Sequence, residues 1–346
     1  MNREKSFAVI MAGGIGSRFW PFSTEENPKQ FHDFLGTGKS LIRHTFDRLN
    51  RFVDADKILV ITNKLYVDQV KEHIPQIPEE NVIGEPTRRN TAPCIYLGAR
   101  FIEGMDSDAQ VIVAPADHLI LEEDKFQSCI QLALDTAANE NSFVTLGIEP
   151  SRPDTGYGYI EFEQNDSEVK KVIQFREKPD RSTAEAFLKA GNFYWNSGIF
   201  IWNNRDLIDG IARHVSSIQN ALSSVDLKDF EALEAGYSAC PDISIDYALM
   251  EKAEKVNVVR GNFSWSDLGT WGSVYQHLEK DTSGNAGTTA EFGNSSGNLV
   301  VDEENKKIVL ESVQDLIVIN TGKALLICHK DAEQEIKQIV ARQSKS

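Results

Sequence analysis

Three groups of residues could do chemistry by type and spacing. The first is a glycine loop with cations close behind it. A strand-like run, Phe7–Met11, leads into Ala12-Gly13-Gly14-Ile15-Gly16-Ser17-Arg18-Phe19, and Pro28-Lys29-Gln30-Phe31 follows. Glycines after a first strand let backbone N–H groups approach phosphate oxygens closely. An Arg and a Lys beside such a nest suit a triphosphate whose charge shifts during reaction. A plain tight turn also explains the glycines, and Lys29 taken alone is a solvated surface lysine. Two other phosphate loops are excluded. A dinucleotide fingerprint starting at Gly14 needs glycine where Phe19 stands. Gly36-Thr37-Gly38-Lys39-Ser40 copies only the end of a Walker A loop, because Asp33 occupies the place of its first glycine. That segment reads as a turn into a helix capped by Ser40.

The second group is a pair of aspartates. Val111-Ile112-Val113-Ala114-Pro115-Ala116-Asp117-His118 puts a carboxylate just past a buried strand, the edge where open α/β sheets present ligand groups. Ser264-Trp265-Ser266-Asp267-Leu268-Gly269-Thr270-Trp271 puts another among aromatic and small residues. One or two carboxylates plus phosphate oxygens suit Mg²⁺. The competing reading makes each aspartate a helix N-cap, Asp267 for a helix over Leu268–His277. His118 reads as loop support rather than as a metal ligand.

The third group is polar and small residues on strand-like segments. Asp154–Ile160 offers glycines and aromatics, and Glu177-Lys178-Pro179 ends a strand. Asn196 sits inside the apolar run Phe193–Phe200. A buried amide must be hydrogen-bonded, so Asn196 is a core polar group or a hydroxyl ligand. Gly84-Glu85-Pro86-Thr87-Arg88-Arg89-Asn90-Thr91-Ala92-Pro93 joins a strand to a helix. There Asn90 or Thr91 either caps the helix or touches a ligand.

These groups need a scaffold. Strand patterns at Phe7–Met11, Lys57–Thr62, Val111–Ala114 and Phe143–Ile148 alternate with helical patterns at Ser40–Leu49, Leu65–His73, Asn90–Ile102 and Phe126–Ala138. Such alternation predicts an α/β fold, a mixed, mostly parallel sheet flanked by helices. Tyr157–Phe162, Val169–Phe175 and Phe193–Trp202 add strands to a mixed-sheet region. Helices return at Arg205–His214, Leu227–Ala235 and Ile245–Lys252. The stretch Asp281–Asn298, rich in Gly, Ser, Thr and Asn, reads as a linker. Four short strands follow, at Leu299–Val301, Lys307–Leu310, Leu316–Asn320 and Ala324–Cys328, then a helix over Ala332–Ala341. The expected division is 1–283 for a catalytic domain and 284–346 for a small β-rich domain with a terminal helix.

Composition limits the partners. The 346 residues carry 41% hydrophobic and 25% charged side chains, enough to bury a sizeable core, and a formal net charge of −16. So acidic a chain is a poor fit to nucleic acid or an anionic membrane surface. Cys94, Cys129, Cys240 and Cys328 are scattered and suggest neither a zinc site nor a disulfide framework. The first residues lack the pattern of a signal peptide, and no run approaches the roughly 20 apolar residues of a membrane span. A cytoplasmic protein is expected.

In this order the motifs resemble those of the sugar-nucleotide pyrophosphorylases, over about residues 6–280. VIMAGGIGSRFWPFS…NPKQF is similar to the family's signature, and its Trp20-Pro21 and Pro28–Phe31 details are similar to the guanylyltransferase branch. E-P-x-x-R-N-T-A-P resembles the segment that faces a purine base, with Cys94 standing where alanine is expected. The resemblance implies a Rossmann-like nucleotidyltransferase fold of the GT-A kind. It also implies GTP and mannose 1-phosphate as substrates and Mg²⁺ as cofactor. By it, Gly13, Gly14, Arg18 and Lys29 hold the NTP phosphates, and Glu85, Asn90 and Thr91 the nucleotide. Gly158, Glu177 and Asn196 touch sugar hydroxyls, Lys178 the sugar phosphate, and Asp117 and Asp267 the metal. The same chemistry with glucose 1-phosphate and UTP or dTTP, or an inactive sugar-nucleotide-binding regulator, stays open. The tail holds a single histidine, His329, too few for a histidine-rich metal site. It is expected to be a packing or subunit-contact module, as in a homodimer.

Overall fold

The computed structural model describes residues 5–287 and 290–343, which form two compact units. The first takes residues up to Gly13, Thr45–Ala116 and Ile120–Trp265. The second takes Gly14–His44, Asp117–Leu119 and the chain from Ser266. The helices in chain order are α1 (Leu41–Leu49), α2 (Val67–His73), α3 (Thr91–Glu103), α4 (Glu123–Glu140), α5 (Arg181–Ala190), α6 (Asn204–His214), α7 (Ser216–Leu222), α8 (Phe230–Ser238), α9 (Trp271–His277) and α10 (Ile336–Gln343). None among the described residues is long and apolar enough to cross a membrane.

The first unit is built on one nine-stranded sheet. Its strands are β1 (Ser6–Ala12), β2 (Ile58–Asn63), β3 (Val82–Glu85), β4 (Gln110–Pro115), β5 (Phe143–Ile148), β6 (Tyr159–Phe162), β7 (Val169–Arg176), β8 (Phe193–Asn203) and β9 (Val256–Gly261). They lie in the order β3-β2-β1-β4-β8-β5-β9-β7-β6. The β1, β2, β3 and β4 neighbours are parallel, as are β5 and β9. The long strand β8 runs antiparallel to β4, β5 and β6 and stitches the two halves together. β1 and β2 are buried almost end to end, as expected of strands covered by helices on both faces. Helix α3 is itself nearly all buried, from Ala92 to Ala99.

The structure adds α5, α7 and β9, which the sequence patterns did not reveal. The helix expected over Ile245–Lys252 is instead one wide turn, Asp246–Met250, in which the Glu251 N–H reaches back five residues to the Asp246 carbonyl (2.9 Å). Such π-type turns concentrate at functional positions.

The second unit has its own core. Phe19, Phe34 and Trp271 are buried together, with ring centroids 4.7 Å apart for Phe19–Phe34 and 5.1 Å for Phe19–Trp271. Leu268, Ile317, Ile319 and Ile336 complete the same cluster. Five strands belong here: β10 (Ala290–Phe292), β11 (Leu299–Asp302), β12 (Ile308–Leu310), β13 (Leu316–Asn320) and β14 (Leu325–His329). β10 pairs in parallel with β12 and β11 with β13, matching Ala290 to Ile308 and Leu299 to Ile317, both 18 residues apart (308 − 290, 317 − 299). The chain thus coils through repeats of that length, while β14 closes the edge by pairing antiparallel with β13.

The linker expected over 281–298 is corrected by this coil. Asn285, Ser295 and Asn298 are 2%, 4% and 0% exposed. The Asn285 amide donates to the Ser295 carbonyl (3.0 Å), the Asn298 amide to Asn285 Oδ1 (2.9 Å), and the Leu316 N–H to Asn298 Oδ1 (2.9 Å). Small and amide-bearing residues are there because coil corners need buried polar partners, not because the segment is free. Thr288 and Thr289 of that stretch lie outside the described residues. The terminal helix expected over Ala332–Ala341 is a tight helical stretch, Lys330–Glu335, followed by α10.

The aromatic cluster anchors the second unit. Trp271→Ala should destabilise it by about 3–5 kcal/mol, and Trp271→Phe by much less, because a ring still fills the space. Urea unfolding followed by circular dichroism measures both.

Candidate functional site

Lys29 stands at the centre of the second unit's polar residues. Its side chain is only 5% exposed, yet it carries a charge. Burying an ammonium is unfavourable unless it is paired and hydrogen-bonded, and here it is both. Nζ donates to Asp117 Oδ2 at 2.9 Å and to the Asp267 backbone carbonyl at 2.6 Å. It also lies 5.7 Å from the centre of the Phe19 ring. The Lys29 N–H donates to the Ile15 carbonyl (3.1 Å), which lays the lysine against the glycine loop. Gly16 makes room: its φ is +73°, and a Cβ there would collide with the Lys29 side chain. Only glycine satisfies both conditions.

Neither aspartate caps a helix: Asp117 meets this lysine through its carboxylate and Asp267 through its backbone carbonyl. Helix α4 begins at Glu123, several residues after Asp117. Helix α9 begins at Trp271 and is capped by Thr270, whose hydroxyl accepts from the Ser273 N–H while the Ser273 hydroxyl accepts in return from the Thr270 N–H. The helix expected from Leu268 with Asp267 as its cap is therefore corrected. Asp267 Oδ1 instead accepts from the Gly269 N–H (3.0 Å), and Leu268 between them has φ +44°. A buried leucine in that conformation is strained, and it is held there by the apolar cluster in which Leu268 is packed. Burial acts to raise the Asp117 carboxyl, but the Lys29 ammonium, His118 and hydrogen bonds outweigh it and hold it below its ordinary value. Its side chain still keeps 30% of its exposure, as a group on a cavity floor does.

That cavity, about 290 Å³, is lined by Gly16, Ser17, Arg18, Phe19, Lys29, Asp117, His118, Asp267, Leu268, Gly269 and Lys337. All belong to the second unit. Sequence reading named Arg18, Lys29, Asp117 and Asp267, and the structure brings them to one wall. It missed Lys337, which no local motif marks.

Two polar clusters lie in the first unit. In one, Gly158, Glu177 and Asn196 come together as expected: the Asn196 N–H donates to the Gly158 carbonyl (2.8 Å), and a side chain at Gly158 would strike the Glu177 carboxylate. Lys178 Nζ pairs with Glu177 Oε1 at 2.8 Å and stays mostly exposed. Its φ of +44°, immediately before a proline, is a conformation that steric contact disfavours. The Asn196 amide donates to Asp246 Oδ1 (2.7 Å), and its Oδ1 accepts from the Gly198 N–H (3.1 Å). Asp246 is thus a functional candidate that sequence reading missed. It lies 50 residues from its partner, and only the wide turn brings it there. Burial, with the Glu177 charge adding to it and the Asn196 bond opposing it, raises the Asp246 carboxyl to about 6.

In the other cluster, Glu85 ends β3 buried at 5% exposure. It accepts a hydrogen bond from the Tyr237 hydroxyl and another from the Cys94 thiol. Its other oxygen faces Gly13, where an added Cβ would lie 3.3 Å away. Burial lifts its carboxyl to about 7, held back by those bonds and by Arg88. Asn90 caps α3, its side chain accepting from the Thr91 N–H (2.9 Å) at φ +65°. The Thr91 hydroxyl accepts from the Ile245 N–H (2.8 Å). Gly14 is exposed at the start of the loop.

Comparison with known proteins agrees with these motifs. Residues 7–284 match the family described as Nucleotidyl transferase, and residues 294–342 match a MannoseP isomerase/GMP-like beta-helix domain. The chain is 35% identical to a mannose-1-phosphate guanylyltransferase of Escherichia coli K12, over 98% of itself and 74% of that protein. It resembles the crystal structure of a Thermus thermophilus protein described as a mannose-1-phosphate geranyltransferase, with TM-score 0.87 and 31% identity, covering 98% of this chain and 99% of that one. It also resembles the crystal structure of a Helicobacter pylori mannose-6-phosphate isomerase, with TM-score 0.63 and 30% identity, covering 75% of this chain and 99% of that one.

The Glu85 environment gives a test. Unfolded, the carboxyl titrates near 4.5; folded, near 7. Between those values the folded state holds a proton that the unfolded state has lost, so the contribution to stability is full below the first value and lost as pH rises through the second. Glu85→Gln keeps an acceptor for Tyr237 and has no charge to bury. Relative to the unsubstituted protein it should gain stability between about pH 5 and pH 8, by up to about 3 kcal/mol. Denaturant unfolding at both pH values measures the difference.

Proposed function

Because the chain belongs to the nucleotidyl transferase family, we propose that it is a mannose-1-phosphate guanylyltransferase, moving GMP from GTP to α-D-mannose 1-phosphate. The observation that carries this reading is the cavity in which Gly16 of the glycine loop, Arg18, Lys29, Asp117 and Asp267 converge. An oxygen of the sugar phosphate attacks the α-phosphorus of GTP in line. The new P–O bond forms as the α–β phosphoanhydride bond breaks, and pyrophosphate leaves with the bonding electrons. The nucleophile is already an anion at neutral pH, so no general base is needed. Alignment and charge neutralisation provide the catalysis.

The chain's residues divide that work. The loop N–H groups at Gly13 and Gly14, with Arg18 and Lys29, hold the triphosphate and neutralise the departing pyrophosphate. Glu85, Asn90 and Thr91 set the segment that receives the base. Gly158, Glu177 and Asn196 take the sugar hydroxyls, and Lys178 draws in the sugar phosphate. The hard oxygen donors of Asp117 and Asp267, both half-buried on the cavity wall, fit a small divalent cation. Mg²⁺ bound there supplies positive charge at the reacting phosphates. Catalysis is assigned to residues 1–283, with 284–346 as the appended β-rich domain. Unpaired buried thiols at Cys94, Cys129 and Cys240 support a cytoplasmic setting.

Pyrophosphate release measured with four NTPs and several sugar 1-phosphates tests the reading. GTP with mannose 1-phosphate should exceed every other pair by at least about tenfold, since lost base hydrogen bonds cost about 1–3 kcal/mol. Equal turnover with UTP or dTTP would overturn the choice of base. Asp117→Asn and Asp267→Asn should each fold and lose at least about 100-fold in kcat. The double variant should lose much less than the product of the two, since the pair acts as a unit.

A further inference from the structure

We infer that Lys337, from the terminal helix α10, is a phosphate-binding residue of the cavity that holds Arg18 and Lys29. The proposal rests on the reading of that cavity as the place of the nucleotide's phosphates. It assigns Lys337 to the departing end, the pyrophosphate.

Three observations support it. The first is position. Lys337 lines the cavity together with Arg18, Lys29, Asp117 and Asp267. The second is anchorage. Ile336, the residue before it, is fully buried in the same apolar cluster as Phe19 and Trp271, and α10 packs on the turn Ser17–Phe19 that carries Arg18. Just upstream, Glu333 Oε2 accepts from the Gly272 N–H at 2.6 Å. Ile339, two residues on, packs against the same cluster, so the backbone that carries Lys337 is anchored before and after it, while the Lys337 side chain is exposed.

The third observation is charge. The cavity wall holds three cationic side chains, Arg18, Lys29 and Lys337, and two carboxylates. The Lys29 charge is already matched by Asp117 at 2.9 Å. The remaining cations, Arg18 and Lys337, share the wall with one further carboxylate, Asp267. With His118 counted as neutral, the wall without Lys337 carries no net charge, a poor receptor for a polyanion on a chain of net charge −16. With it, the wall carries one positive charge in excess, before any metal is bound. A lysine acts there as a compact point charge with rotatable donors, which suits an end phosphate that must also leave.

The terminal helix is then part of the binding site, a wider role than the packing or subunit-contact module expected from sequence. The experiment uses the reverse reaction, in which GDP-mannose and inorganic pyrophosphate give GTP and mannose 1-phosphate. Lys337→Ala should raise the KM for pyrophosphate by about 10- to 100-fold, leave the KM for GDP-mannose within about threefold, and melt at the temperature of the unsubstituted protein. Lys337→Arg should recover most of the loss. Lys307→Ala, on the β-rich part away from this cavity, should change neither constant. Arg18→Ala separates the two ways of failing. An unchanged pyrophosphate KM in Lys337→Ala, with a raised one in Arg18→Ala, overturns the role of Lys337 and leaves the cavity reading intact. No change in either variant overturns the cavity reading itself. An equal effect from Lys307→Ala reduces the role of Lys337 to overall charge and overturns its assignment.

Discussion

The arrangement in the second unit depends on one buried ammonium. Lys29 must find partners for its charge, and the partners available are a carboxylate 88 residues away and a carbonyl 238 residues away in sequence. Satisfying it draws the glycine loop, the segment after β4 and the loop before α9 to one point. Removing a single partner of a buried pair leaves an uncompensated charge, so the three segments hold one another in register. Gly16 accepts the lysine stem, and Leu268 takes a strained conformation beside Asp267. Both features are local compromises that make sense only if this meeting point is fixed.

The same physics sorts the acids of the chain. Asp117, beside an ammonium, is held in its ionised form. Glu85 and Asp246, buried without an adjacent cation of that kind, are pushed toward the protonated form. Each is instead bonded to a side chain that orients or is oriented by it: Tyr237 for Glu85, the Asn196 amide for Asp246. An acid beside a cation and acids buried against neutral partners are therefore held in opposite directions. Residue type alone does not show that difference.

Much of this was legible in the sequence. The buried runs Phe7–Met11 and Val111–Ala114 read as strands because both faces of the sheet are covered, and the loops at their carboxyl ends read as ligand sites because open α/β sheets present ligands at that edge. Arg18 and Lys29 were nameable from the glycine loop ahead of them, Asp117 from its place past a buried strand and Asp267 from its aromatic and small neighbours, while the family resemblance supplied their expected roles. The rest depended on long-range packing. Whether Asp267 caps a helix was decided only by Thr270 and Ser273, which start α9 three residues later than its pattern suggests. Asp246 and Tyr237 gain their roles from partners far off in sequence, and Lys337 gains its role from a helix that local pattern marks only as amphipathic. The stretch 281–298 read as a linker because corner residues of a coil and residues of a flexible chain share a composition. The difference lies in buried amide ladders through Asn285 and Asn298.

The central claim is that the Lys29 junction is the working centre of the nucleotidyl transfer. Steady-state kcat for GDP-mannose formation in Lys29→Met, a side chain of similar length without charge, tests it most directly. The thermal transition checks folding, and Lys29→Arg serves as the charge-retaining companion. The account predicts a folded Lys29→Met protein with kcat at least about 100-fold lower and a partial recovery in Lys29→Arg. Turnover in Lys29→Met within about threefold of the unsubstituted protein would contradict it.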